Sequence, residues 1–298
     1  MPTDPKIATH KMNHFIHLIW SGVVVLLINA CGKTEEPIVP LNAADFDATP
    51  RIIGINEKLR IKTNQPVTWK TTAGSITQTT ADTLTFMPPP TSGIYGIVLK
   101  GVRNPQDSIN LTVVVTARAN VFKPLQKGGY VLVFRHAAAD VGIDQTGSTV
   151  PEWWKSCDSK LARQLNDQGK KEAKDIGTVL KTMQIPVARL LSSEFCRCYT
   201  TADLMALGVP TQQSKDLTLT VYDEPNRYAN TMKVVNGQPL DAKNTVLSIH
   251  AGFSGSIPTV APLSNLQWGD ASVFQVQAGQ TARYVGTLQV RDFTDLIK

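Results

Sequence analysis

Two patterns of apolar positions divide the chain. Over residues 49–118 they come as short alternating runs: RIIGI, LRIKT, VTWKT, SITQT, TLTFM, GIYGIVLKG and INLTVVVTA. Turn signals separate them, among them Asn64-Gln65-Pro66, Pro88-Pro89-Pro90 and Asn104-Pro105. Alternation at period two with breaks at this spacing predicts an all-β sandwich. No cysteine pair spans the segment, so Trp69 and the aliphatic residues must supply its core.

From about Val121 the pattern changes. Tyr130 to Phe134 is an unbroken apolar run, which predicts a central strand covered on both faces, as in a parallel sheet. Leu161 to Met183 reads as a helix or helix pair, with Ala173, Ile176, Val179, Leu180 and Met183 at three- and four-residue steps and Asn166 placed to cap it. Arg189 to Ser193 is the next short strand, Cys196 to Leu207 the next helix, and Thr245 to Ile249 another buried strand. SVFQV and ARYVGTLQV read as two closing strands at an antiparallel edge.

Two of these strands end in histidine. Arg135 and His136 follow the first, and His250 follows Ile249; Arg197 stands just past the strand between them, at a helix start. Ligands in open α/β sheets bind beyond the carboxyl ends of strands. Two guanidinium forks and two imidazoles meeting there suit a dianionic phosphate. By itself an Arg-His pair at a strand end is as well read as a satisfied histidine beside a surface arginine; the recurrence at separate strands favours chemistry.

Residues 1–31 carry Lys6 and Lys11 ahead of the apolar core Leu18 to Ala30, which is too short for a transmembrane helix of about 20 residues. The core runs into Ile28-Asn29-Ala30-Cys31-Gly32, which resembles a bacterial lipobox, with Cys31 the lipidated residue. That implies a lipid anchor in the bacterial cell envelope, with the folded part in the periplasm or at the outer surface. Residues 32–48 are polar and proline-bearing and read as a linker.

Composition adds limits. At 42% hydrophobic residues the chain can bury a core, and its net charge of +6 is not gathered into a basic block, so nucleic acid is not an expected partner. Cys157, Cys196 and Cys198 show no metal-ligand spacing. In an oxidising compartment Cys157 and Cys196 form the favoured disulfide, with Cys198 the alternative partner. Neither a metal nor another cofactor is expected.

Residues 49–118 resemble a bacterial Ig-like domain, on the position of Trp69 and on TSGIYGIVLKG. Residues 121–298 resemble the histidine phosphatase superfamily, on VFRHA, LARQLNDQGKKEAKDIG, LLSSEFCRCYTTA and VLSIHAGF taken in order, with Ala137 where glycine is usual. The resemblance implies a three-layer phosphoglycerate mutase-like α/β domain with a mostly parallel sheet. It also implies a histidine acid phosphatase-type phosphomonoesterase acting through a phosphohistidine. His136 is the implied nucleophile, Arg135 and Arg197 the phosphate-binding residues, and His250 a further donor. Glu224 is the first candidate for general acid and Asp270 the second; the His-Asp pair of the phytase-like branch is absent, because Ala251 follows His250. The alternative is a non-catalytic lipoprotein that binds a phosphorylated ligand or serves adhesion. GFSGS superficially resembles a serine nucleophile elbow, but Ser256 replaces its last glycine.

Overall fold

The structure, a computed structural model, describes residues 39–44, 49–251 and 259–298. The apolar segment of residues 1–31, its Cys31 and the GFSGS stretch lie outside them.

Eight strands open the described chain: β1 (Ala43–Ala44), β2 (Arg51–Ile53), β3 (Leu59–Thr63), β4 (Val67–Thr71), β5 (Ser75–Thr80), β6 (Thr83–Met87), β7 (Gly93–Gly101) and β8 (Ser108–Val115). They form two four-stranded sheets, in the orders β1-β3-β6-β5 and β2-β8-β7-β4. Ile61, Leu84 and Phe86 from the first sheet meet Ile97, Leu99, Val113 and Val115 from the second in one buried cluster, with Trp69 packed at its margin. The expected linker over 32–48 needs correction: Leu41 and Ala43 are buried in this cluster, and Ala43 pairs with Thr63. Their apolar side chains belong to the sandwich, which begins before residue 49.

Alternation along β8 gives the second sheet two buried faces. Val113 and Val115 enter the sandwich, whereas Val114, with Ile52, enters the core of the following layers beside Phe122 and Phe293. Gln126 donates to the carbonyls of Pro50 and Met183, both at 2.9 Å. The sandwich is therefore packed against the second half of the chain.

That half begins with α1 (Ala119–Leu125) and β9 (Tyr130–Arg135), then α2 (Asp167–Thr182), β10 (Val187–Ser193), α3 (Cys196–Leu204) and β11 (Thr211–Ser214). It continues through α4 (Leu219–Tyr222), α5 (Arg227–Asn236), β12 (Asn244–Ile249), α6 (Ala261–Ser264), β13 (Ala271–Gln275), β14 (Arg283–Leu288) and α7 (Val290–Thr294). Six strands make one sheet, β11-β10-β12-β9-β13-β14. Ile176, Val179, Leu180 and Phe293 cover one face on Leu132 and Phe134; Leu217, Tyr228, Val235 and Leu263 cover the other on Val131 and Val133. The sheet is mixed, not mostly parallel. β11, β10, β12 and β9 run parallel, but β13 pairs antiparallel with both β9 and β14. Parallel neighbours need long crossovers, whereas β13 and β14 are joined by a short hairpin that allows only the antiparallel sense.

α2 starts later than the periodic run. Asn166 accepts the Gly169 N–H at 2.8 Å, as an N-cap does, and residues 161–166 stay outside the helix.

Candidate active site

The sheet register builds the centre of the site. β9 and β12 are parallel neighbours with Ile249 beside Arg135, so His136 and His250 leave the same end of adjacent strands. The His136 N–H donates to the Ile249 carbonyl at 3.0 Å, and the two imidazole rings lie 5.4 Å apart. β10 is the next strand over, and the α3 that follows it delivers Arg197. Arg135, His136, Arg197, His250 and Glu224 all line one cavity of about 260 Å³.

His136 is 2% exposed. Its Nδ1 lies 2.9 Å from the Ala137 carbonyl oxygen. A carbonyl only accepts, so Nδ1 carries the proton and Nε2 keeps a lone pair. Burial, and after it the charge of Arg197, holds His136 well below the usual histidine range, while the bond to Ala137 works the other way. The ring is neutral at pH 7, as a nucleophile requires. His250 is lowered likewise, first by burial and then by Arg197.

His250 is engaged at both nitrogens. Arg197 Nη2 lies 3.4 Å from Nδ1, and Ser193 Oγ lies 3.1 Å from Nε2. A guanidinium has no lone pair, so Nδ1 accepts and the proton sits on Nε2, facing Ser193. In this state His250 is an acceptor on its Arg197 side rather than the expected donor. Cys198, buried and unpaired, has its sulfur 3.2 Å from Nε2; burial pushes its thiol up to about 12, so it stays protonated and unreactive.

Arg135 Nη1 donates to the Leu266 carbonyl at 3.0 Å. Arg197 is 4% exposed, with the Phe195 ring centroid 4.5 Å from its central carbon. Several buried donors in the cavity wall meet no acceptor: Arg135 Nε, Arg163 Nε, Arg197 Nε and Thr220 Oγ1. Buried polar groups normally find partners, so this concentration marks a place for an anionic ligand.

The two candidate acids separate. Glu224 is at the cavity with about half its side chain exposed, 3.6 Å from Arg227 Nη1. Asp270 is excluded from that role. Its carboxylate accepts the backbone N–H groups of Gln267 and Val290, and it lines a different hollow beside α6. It holds a turn together.

The sequence does not single out Asp144, Arg163 or Arg227, which also line the cavity. None stands at a strand end; the nearest signal is the Glu224-Arg227 spacing, which places opposite charges within reach across one turn. Cys157 and Cys196 are joined in a disulfide with Cα atoms 5.3 Å apart. Glu194 ties the two loops that wall the cavity: its carboxylate accepts Tyr222 O–H at 2.8 Å and Trp154 Nε1–H at 3.3 Å, and pairs with Lys155 at 3.3 Å. Burial acts to raise Glu194, but these partners outweigh it and hold the carboxyl below its ordinary range. Among the described residues no group of three His, Cys, Asp or Glu side chains is placed to hold a metal ion.

Residues 146–219 match the family model for the histidine phosphatase superfamily, branch 1. No curated protein gives a significant match. Among solved structures, the putative phosphohistidine phosphatase SixA from Nakamurella multipartitia is similar at 16% identity and a TM-score of 0.36, over 54% of this chain and 95% of its own. SixA from Agrobacterium tumefaciens is similar at 16% identity and 0.36, over 54% and 97%. Phosphoserine phosphatase from Entamoeba histolytica, in complex with 3-phosphoglyceric acid, is similar at 12% identity and 0.34, over 55% and 98%. The stretch that matches the family model is the one that carries Arg197.

Proposed function

We propose that this chain hydrolyses phosphomonoesters through a phosphohistidine at His136. One observation carries the reading: the proton on His136 Nδ1 is committed to Ala137, which leaves Nε2 nucleophilic in a cavity where Arg135, Arg197 and His250 converge. In the first step Nε2 attacks phosphorus and the ester P–O bond breaks; Glu224 gives its proton to the leaving oxygen. In the second, water attacks the phosphoryl group, the N–P bond breaks, Glu224 takes the water's proton, and phosphate departs. Arg135 and Arg197 hold the non-bridging oxygens, as planar forks suit, and positioning with charge stabilisation does most of the work. A bound dianion favours a proton on His250 Nδ1, which turns that nitrogen from acceptor to donor.

Burial supports a nucleophile that outlasts ordinary histidine in acid. His136 stays neutral well below the usual histidine range, so the acid limit of turnover is set by the substrate, which becomes a monoanion below about pH 6, rather than by the nucleophile. The experiment is turnover of p-nitrophenyl phosphate by the full chain and by His136→Ala. Loss of roughly 10⁴-fold or more is expected for removal of a nucleophile. A variant that keeps wild-type turnover refutes the phosphohistidine, and an inert wild type that still binds phosphate favours the non-catalytic alternative.

The rest of the chain is read as an Ig-like spacer behind a lipid anchor at Cys31, which places the enzyme outside the bacterial cytoplasm. A disulfide is at home in such a compartment. Fatty-acid labelling of the wild type that disappears in Cys31→Ser is the expected result; equal labelling of both removes the anchor.

A further inference from the structure

Arg197 already holds an anion. Nη1 donates to Asp144 Oδ1 at 2.8 Å and to the Arg163 carbonyl at 3.3 Å; Nη2 donates to Asp144 Oδ2 at 3.0 Å and lies 3.4 Å from His250 Nδ1. The two Nη atoms carry four hydrogens, and all four are directed at these partners. The fork that the proposed reaction assigns to a phosphoryl group is thus filled by a carboxylate of the same chain.

That carboxylate is held in place. Its Oδ1 also accepts the Arg163 N–H at 3.0 Å. Val141 bridges to Gln164, and the Gln145 N–H donates to the Leu161 carbonyl at 2.9 Å, so the Asp144 loop is laced to the stretch that leads into α2. That stretch begins just after Cys157, whose disulfide partner, Cys196, immediately precedes Arg197. One cross-link therefore anchors both the fork and the carboxylate lying on it.

We propose that Asp144 is an internal competitor for the phosphate site and sets which anions enter it. The inference rests on the phosphomonoester reading and deepens it. A monoanion, such as a carboxylate, a sulfate ester or a phosphodiester, brings no more charge than the group it must displace. A phosphomonoester dianion brings twice that charge and three oxygens, which Arg135 can share with Arg197. Asp144 thereby excludes single charges and admits the doubly charged terminal phosphoryl group.

The experiment is calorimetric titration of the full chain and of Asp144→Asn with inorganic phosphate and with acetate at pH 8. The amide keeps an oxygen for the Arg163 N–H but sets a donor against one Arg197 donor, so the bidentate pair is lost. Phosphate is expected to bind the variant about tenfold tighter, equivalent to about 1.4 kcal/mol, and acetate to gain measurable affinity. Unchanged or weaker phosphate binding by a folded variant makes Asp144 a mere support for Arg197 and overturns the proposal. A structure of the wild type with phosphate bound decides the case even if the variant does not fold. Asp144 parted from the fork is expected, and the same bidentate pair retained beside bound phosphate overturns the idea. Neither measurement needs turnover, so an inactive enzyme would fault the phosphatase reading without touching this one.

Discussion

Arg135, His136 and His250 reach the cavity from the ends of paired strands, whereas Asp144 and Arg163 reach it from loops and Glu224 from a single 3-10 turn. The first group inherits its geometry from the sheet: the pairing of Thr245 to Ile249 with Val131 to Arg135 sets the spacing of the two imidazoles before any side-chain bond forms. The second group has no ladder beneath it. Its positions depend on discrete ties, namely the Cys157–Cys196 disulfide, the Glu194 carboxylate and the Asp144 contacts. The nucleophile and its partner histidine are thus placed on the rigid half, whereas the proposed general acid and the selection of what enters fall to the half that is pinned at a few points.

The comparison breaks most sharply at the disulfide. Closing a loop with a sequence separation of 39 stabilises a protein by about 4 kcal/mol in the chain-entropy model. Cys157→Ser is expected to lose about that much in equilibrium denaturation. It should also weaken phosphate selectivity while the strand-end histidines keep their places. A close approach supports the rigid half: a Cβ on Gly169 would lie 2.1 Å from the Ala138 carbonyl oxygen, so α2 sits directly against the loop that follows His136. If Cys157→Ser unfolds at the wild-type denaturant midpoint, the loop half is held by its hydrogen bonds and the disulfide is incidental.

This division also explains what could be read from the chain alone. Strand ends are legible because an apolar run announces the strand, and a histidine or arginine at its close breaks the run at a definite residue, as Phe134 gives way to Arg135 and Ile249 to His250. Arg163 and Asp144 carry no such mark. They lie in polar stretches where position is set by tertiary bonds, so nothing local separates them from solvated neighbours such as Lys160 or Asp158. Asp270 misled for the same reason: an acidic residue near a strand looks like a candidate acid until its carboxylate is found on the backbone of Gln267 and Val290. The mixed sheet was half visible, since the closing pair read as antiparallel, but the antiparallel pairing of β13 with the central β9 was not. Alternation did expose the sandwich strands, yet it left out Leu41, which precedes any strand, and Ala43, whose own strand β1 is two residues long and too short to show a period.

The rigid half has its own cost, and it appears in acid. His136 and His250 are both buried, and both are held well below the ordinary value of 6.5. The unfolded chain takes up protons on these rings near that pH, whereas the folded protein does not. Unfolding therefore binds protons, and the stability carried by neutral burial is present above about pH 6.5 and is lost as the pH falls toward the folded values. Stability from equilibrium denaturation is expected to be lower at pH 5.5 than at pH 7.5, because each ring that stays neutral in the folded protein takes up a proton on unfolding. Phosphate works in the opposite sense, because a dianion beside the rings favours their charged forms, so saturating phosphate should flatten the slope. Replacing either histidine by glutamine should remove about half of it. Equal stability at the two pH values would mean that water reaches both rings in the folded state, and the cavity would then lack the dry, neutral His136 on which its chemistry depends.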